Sequence, residues 1–163
     1  KKKDGSYIFT ASYTDKGNGN MGPLTGSKTV ALRPSTLMAN AADTTRSTFK
    51  YKADNGNEMV IGMKDGGFIA FDDIDLTQIS KLAVSVGSNA GRSAGGTLEV
   101  RLDGVAGAKI GEGKVDKTET ISIPVQAPAD GKLHKVYFIF KNAEAGNKPL
   151  FSIESVHFDN AAL

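Results

Sequence analysis

The sequence predicts an all-β domain, either a sandwich or a barrel. Short runs of alternating apolar and polar residues recur at roughly 8–12-residue spacing and are separated by turn-forming residues. Glycine accounts for 19 of the 163 residues, and patterns with the period of a helix are scarce. An apolar content of 39% at this length suits a single domain that builds its own core. We therefore expect one domain over residues 1–163.

The alternation defines the candidate strands in order along the chain. They are residues 7–13, 28–33, 48–52, 58–63, 67–71, 81–86, 97–102, 109–115, 118–125, 135–140 and 150–158. Segments rich in Gly, Asn, Asp or Pro separate many of them, at 15–22, 54–57, 88–96, 127–132 and 142–149. In 81–86, Leu82, Val84 and Val86 share one face. Residues 136–140 are apolar on both faces, which predicts a central strand with Tyr137 and Ile139 on its outer face.

Composition excludes several classes of function. The 20 basic and 18 acidic side chains nearly cancel, and three of the lysines are residues 1–3, so no basic patch indicates a nucleic-acid partner. The chain has no cysteine, which excludes disulfides, thiol catalysis and iron–sulfur clusters. No apolar run approaches the roughly 20 residues of a membrane-spanning helix, so we expect no membrane insertion.

Catalytic chemistry finds little support in the sequence. His134 and His157 are the only imidazole bases, and neither lies in a local motif of the Ser/His/Asp type. The acidic run at Asp72, Asp73 and Asp75 lacks the spacing of a calcium loop and fits a solvated strand end. The sequence therefore predicts a protein that is not an enzyme.

Glu154 stands out because its alternation places it on the same face as Val156 and Phe158. A carboxylate in phase with core residues must be paired, hydrogen-bonded or bound to a metal ion. Calcium would satisfy it, and so would an edge position or a lysine partner. The sequence leaves both alternatives open.

From Gly62 onward, the order of these pieces resembles the family 6 carbohydrate-binding modules. The matching segments are residues 65–71, 82–87, 95–103, 107–111, 135–140 and 150–154. The most specific is Gly-Gly-Thr-Leu-Glu-Val-Arg-Leu-Asp at 95–103, and the likeness spans roughly residues 38–158. The resemblance implies a jelly-roll β-sandwich of the galactose-binding-domain type. It also implies a non-catalytic domain that binds a glycan or oligosaccharide.

The resemblance implies a structural calcium between the first and last strands, with Asn40 and Glu154 as the matching positions here. It also implies a cleft at the loop ends that holds a pyranose between two aromatic rings, one commonly Trp. This chain has no Trp, and Ser152 occupies the position of the family's sugar-binding Asn. We therefore expect glycan contacts from loop, strand and sheet-face side chains. These candidates are Asp65, Phe68, Asn89, Arg92, Tyr137, Asn142 and Asn147.

Residues 11–17, 23–26 and 30–33 carry a second resemblance. They are similar to the lead-in to such modules in large exported bacterial proteins, which join them to sugar-dehydrogenase-like, cytochrome c or trehalose-utilisation-type domains. The resemblance implies lead-in strands at 1–34 and a module core at 35–160. We expect a C-terminal module excised from such a protein, located in the periplasm, secreted or on the cell surface. The alternative is a sandwich that packs on an adjacent catalytic domain of the same polypeptide and has lost sugar binding.

Overall fold

The computed structural model describes residues 7–160, which form thirteen β-strands and one short 3₁₀ turn. Contacts divide the chain into two compact units, with the boundary between Pro34 and Ser35. Within the described residues, no helix is long and apolar enough to cross a membrane.

The first unit is a β-hairpin. Strands β1 (Tyr7–Thr14) and β2 (Thr25–Leu32) pair antiparallel without a register shift. Asp15 closes the connecting loop, since its Oδ1 accepts hydrogen bonds from the backbone N–H of Leu24 (2.9 Å) and of Gly17 (2.8 Å). Those two bonds lower the pKa of the Asp15 carboxyl.

The second unit is a sandwich of two antiparallel sheets. Its elements are β3 (Thr36–Met38), the 3₁₀ turn (Ala39–Ala41), β4 (Thr44–Arg46), β5 (Thr48–Lys52), β6 (Glu58–Gly62), β7 (Phe68–Asp75), β8 (Ile79–Gly87), β9 (Gly96–Leu102), β10 (Lys109–Val115), β11 (Glu119–Pro124), β12 (Leu133–Lys141) and β13 (Ser152–Asn160). One sheet has the order β10-β9-β12-β7-β4. The other, six-stranded sheet has the order β11-β8-β13-β6-β5, with β3 paired to β13. The all-β fold predicted from the alternation and the β-sandwich implied by the resemblance are both confirmed.

The core lies between the two sheets and follows the predicted period of two. Leu82, Val84 and Val86 of β8 are all buried in it, while the residues between them face outward. Strand β12 is central, as predicted, because it pairs with both β7 and β9. Its Val136, Phe138 and Phe140 enter the core, and Tyr137 and Ile139 lie on the outer face.

The expectation that Glu154 lies in phase with the core is wrong. The register of β13 against β8 shifts between Ile153 and Ser155, which makes Glu154 the extra residue of a β-bulge. Ile153 and Val156 are fully buried, whereas the half-buried Glu154 carboxylate accepts a hydrogen bond from the outward-facing Ser85. A bulge shifts the alternation by one residue. The residues of β13 before the bulge therefore lie on the face opposite to the one that an uninterrupted period of two predicts.

Candidate binding groove and relation to known proteins

A groove of about 680 Å³ lies on the outer face of the six-stranded sheet, beside its edge strand β5. Its floor comes from β5, β6, β8 and β13, and its rim from the loops after β5 and β8. We call it the β5 groove. The residues that line it are Phe49, Tyr51, Lys52, Ala53, Asp54, Asn55, Met59, Ile61, Gly87, Ser88, Asn89, Arg92, Ser93, Thr118, Pro149 and Ser152.

A short chain of hydrogen bonds fixes the floor of the groove. The Tyr51 hydroxyl donates to Ser152 Oγ at 3.1 Å, and the Ser152 hydroxyl donates to the carbonyl oxygen of Gly87 at 3.2 Å. Ser152 is the buried polar residue of this region, and the two bonds satisfy it. A Cβ at Gly87 would lie 2.7 Å from Ser152 Oγ and 3.1 Å from Met59 Cε, so the glycine keeps the floor flat.

Phe49 and Tyr51 give the groove its aromatic surface. They alternate along β5 opposite Ile61 and Met59 of β6, and all four residues line the groove. The Phe49 ring is 60% exposed, and Tyr51 is half-buried. Exposed rings beside polar groups are typical of sites that bind ligands with one apolar face.

The loop after β8 forms the polar rim and is internally braced. Ser93 Oγ accepts from the backbone N–H of Asn89 at 2.8 Å, and the backbone N–H groups of Arg92 and Ser93 both donate to the Asn89 carbonyl at 2.9 Å. The backbone N–H of Ser88 donates to Thr118 Oγ1 at 3.2 Å. These bonds fix the backbone that carries the exposed Asn89 and Arg92 side chains at the groove, which reduces the ordering that binding would require.

Of the seven residues predicted to contact glycan, Asn89 and Arg92 line the β5 groove. Asp65 and Asn142 lie together elsewhere, at the end of β12. The Asp65 carboxylate forms a 2.8 Å ion pair with Lys141 and accepts from the backbone N–H of Asn142 at 2.8 Å. The hydrogen bond from Lys141 lowers the Asp65 pKa. Asn147 is exposed in the next loop and lines neither this cluster nor the groove.

Phe68 and Tyr137 pack against each other on the outer face of the five-stranded sheet. Their ring centroids are 5.1 Å apart in an edge-to-face arrangement. The Arg46 guanidinium lies 5.0 Å from the centre of the Phe68 ring, and the Lys135 ammonium 5.6 Å from that of Tyr137. Phe68 is only 7% exposed, so this ring offers little surface to a sugar.

The two residues predicted to bind calcium have other partners. The Asn40 side-chain amide donates to Glu58 Oε2, and the Lys50 ammonium donates to the Asn40 main-chain oxygen at 2.5 Å. The Glu154 carboxylate accepts from Asn57 Nδ2 at 2.7 Å and from Ser85 Oγ at 3.0 Å. Calcium needs six to eight oxygen ligands, and the nearby ammonium would repel it. In the part of the chain that the structure describes, no three acidic or histidine side chains form a metal-binding group. Both predicted side chains therefore make hydrogen bonds to other protein groups.

His134 lies at the opposite end of β12 from Lys141, between two carboxylates. Its Nδ1 is 2.8 Å from Asp103 Oδ2, and its Nε2 is 3.2 Å from Asp130 Oδ1. The hydrogen bond to Asp103 outweighs burial and raises the His134 pKa above its ordinary 6.5, while the same bond lowers the pKa of Asp103. An imidazole held by two carboxylates bridges the loops that carry them.

A two-sheet sandwich with an open groove of aromatic, amide and guanidinium side chains is the architecture of a binding module. The model of the carbohydrate-binding module family 6 matches residues 37–160, close to the span of the resemblance found in the sequence. The chain belongs to this family. A search of curated proteins found no match.

Solved structures support the same fold. A family 6 module from Clostridium cellulolyticum in complex with xylose is 20% identical, with a TM-score of 0.64 over 77% of this chain and 96% of that chain. A β-1,3-glucan-binding family 6 module from Bacillus halodurans is 22% identical, with a TM-score of 0.63 over 76% and 93%. A family 43 arabinoxylan arabinofuranohydrolase from Bacillus subtilis in complex with cellotetraose is 23% identical, with a TM-score of 0.66 over 77% of this chain and 27% of that one.

Sequence reasoning did not single out Phe49 and Tyr51. The signal was present, because β5 alternates aromatic and basic residues. That pattern normally places the rings in the core and the lysines in water. Here Lys50 lies opposite the buried Val60, and the rings face the groove.

Proposed function

We propose that this module binds its glycan in the β5 groove. The observation that carries the proposal is the exposed Phe49 ring beside Tyr51, faced by Asn89 and Arg92 on a braced loop. A pyranose has a flat, apolar C–H face that would stack on the rings and exclude water from them. Its hydroxyl groups would accept from the Arg92 guanidinium and exchange hydrogen bonds with the Asn89 amide.

The electrostatics of the rim suit this role. Arg92 lines the groove, and within residues 7–160 as described its guanidinium forms no ion pair, so its N–H donors are not committed to a carboxylate. The Asp65 and Asn142 pair, by contrast, spends its polar groups on Lys141 and on main-chain atoms of the module itself. Free donors beside an exposed ring favour the β5 groove over the cluster at the end of β12.

Calorimetric titration of the intact chain tests the proposal. The oligosaccharide panel starts with xylan-, β-1,3-glucan- and cellulose-derived oligomers. A similar module was solved with xylose, another binds β-1,3-glucan, and a hydrolase with a similar region was solved with cellotetraose. We expect binding to at least one of them, a several-fold loss in Arg92→Ala and no change in Tyr137→Ala. Loss in Tyr137→Ala with normal thermal unfolding would move the site to the other sheet. A folded protein that binds no glycan would refute the proposal and favour the packing domain.

We further propose that the module serves a larger exported, carbohydrate-active or sugar-oxidising protein. The support is its likeness to a region that forms 27% of the Bacillus subtilis hydrolase chain. Polymeric glycans are met outside the cytoplasm, which supports a periplasmic, secreted or cell-surface location. Sequencing the complete reading frame tests this proposal: a catalytic or redox domain in the same frame would support it, and a frame that encodes the module alone would refute it.

A further inference from the structure

The β1–β2 hairpin has two chemically different faces. Residues directly opposite each other in an antiparallel pair share a face, so the register assigns every side chain to one of two sets. One face, which we call the aromatic face, carries Tyr7, Phe9, Ala11 and Tyr13 of β1 and Leu32, Val30, Lys28 and Gly26 of β2. The other face is dominated by serine and threonine, with hydroxyl–hydroxyl bonds from Thr10 to Thr29 (3.0 Å) and from Thr14 to Thr25 (2.7 Å).

The aromatic face is exposed to an extent that is unusual for a stable monomer. Tyr7 is 65% exposed, Phe9 59% and Tyr13 74%. A two-stranded hairpin by itself is marginally stable in water, and large contiguous apolar patches mark interaction sites. The hairpin also lies outside residues 37–160, which match the family. Its aromatic face is therefore not explained by the glycan-binding fold.

We propose that the aromatic face is an interface with the same face of a second copy of this chain. In this arrangement the two hairpins stack face to face, and a twofold axis runs between them, parallel to the strands. The axis places β1 of one copy over β2 of the other. Because such an axis preserves position along the strand, each β1 residue meets the residue type that it already pairs with in its own hairpin. Phe9 then lies over Val30, Tyr13 over Gly26, and Lys28 over Ala11.

Those juxtapositions place each large side chain over a smaller one, which is the arrangement that fills the space between two sheets about 10 Å apart. The only charge on the face is Lys28, and its position over Ala11 leaves room for the stem to extend to solvent. The opposite face carries one large apolar side chain, Ile8, which pairs with Ala31, and its other residues are serines and threonines whose hydroxyl groups can stay hydrated. The chemistry of the hairpin thus selects one face for association.

The area is sufficient for a weak specific dimer. At about 200 Å² per aromatic residue, the exposed fractions of Tyr7, Phe9 and Tyr13 amount to about 400 Å² per copy. With Val30 and Leu32, each about 40% exposed, two copies would bury at most about 1,000 Å² in total. Specific interfaces begin at about this size, so we expect reversible association in the micromolar range.

Sedimentation velocity of the intact chain across the micromolar range tests the proposal. We expect a monomer–dimer equilibrium that Phe9→Glu shifts at least tenfold toward monomer. Ser12→Glu is the matched control, since it adds the same charge to the opposite face three residues away, and it should leave the equilibrium unchanged. A wild-type chain that stays monomeric throughout would overturn the proposal, and so would equal effects of the two variants.

A second measurement covers the case in which Phe9→Glu disturbs the hairpin itself. Because the chain contains no cysteine, a single Cys can be placed on either face. A short thiol-reactive cross-linker should join two chains through Ala11→Cys but not through Ser12→Cys. Equal cross-linking at both positions would refute the interface. Adsorption to insoluble polysaccharide is measured in parallel. If the wild-type chain is monomeric and Phe9→Glu abolishes its adsorption, the aromatic face binds glycan and the proposed interface is refuted.

Discussion

Replacing Phe49 by alanine should weaken glycan binding by about tenfold while leaving the fold intact. Phe49 lines the β5 groove, and 60% of its surface is exposed. Truncation therefore removes the platform on which a sugar would stack without opening a cavity in the core. Substitutions at exposed positions outside special contacts usually change the free energy of unfolding by less than about 0.5 kcal/mol.

The magnitude follows from the exposed area. A phenylalanine of about 200 Å² that is 60% exposed offers about 120 Å² to solvent, and a pyranose stacked on one side would cover roughly half of it. At about 25 cal/mol per Å², the lost burial amounts to about 1.5 kcal/mol, which corresponds to an increase of Kd by roughly a factor of ten.

Titration calorimetry with a monovalent oligosaccharide measures the effect, because the affinity of one groove then does not depend on the oligomeric state. Phe9→Ala is the matched control: its ring is 59% exposed and does not line the groove. A Kd for Phe49→Ala within twofold of wild type would refute the stacking argument. An equal loss in Phe9→Ala would show that exposed rings act nonspecifically.

Three further results are expected. Tyr51→Phe should lower the free energy of unfolding by about 1 kcal/mol, because Ser152 loses a hydrogen-bond donor. Glycan affinity should stay unchanged. Chemical denaturation measures the stability and calorimetry the affinity; a fall in affinity without a fall in stability would contradict the prediction. His134→Gln should lower the Tm most at about pH 5–6, because the raised His134 pKa and the lowered Asp103 pKa keep both groups charged there. The Tm difference between wild type and variant should shrink as rising pH deprotonates His134. A Tm difference that grows toward pH 9 would contradict the ion pair. Calcium or a chelator should leave the Tm unchanged in thermal scans, and a calcium-dependent rise would reveal a metal site.

The sandwich could be predicted because its strands obey a simple period. Strands β8, β9 and β11 carry their buried apolar residues two apart, and β12 was predicted to be central because it is apolar on both faces. Strands β3 and β4 escaped detection since three residues are too few to show a period. Their positions depend on pairing with β13 and β7, which are distant in the sequence.

The site was harder to predict than the fold. Asn89 and Arg92 were found because a loop rich in Ser, Asn and Gly after a strand is a common place for contacts. Phe49 and Tyr51 were missed because an isolated sequence does not tell which side of an edge strand meets the core. The bulge at Glu154 is invisible for a similar reason, since the register shift exists only relative to β8.

The floor of the β5 groove has a practical consequence for changing what the module binds. The Tyr51 hydroxyl already donates its proton to Ser152 Oγ, and the Ser152 hydroxyl donates its proton to the carbonyl oxygen of Gly87. In the proposed site the floor would therefore offer an apolar surface and hydrogen-bond acceptors, but no free hydroxyl donor, to a sugar. Donor groups that could discriminate between sugars would then come from the rim, where hydrogen bonds within residues 88–93 brace the loop. If glycan binds in the β5 groove as proposed, exchanging that loop would be the direct route to a new glycan preference, and the sandwich beneath would not need to be redesigned.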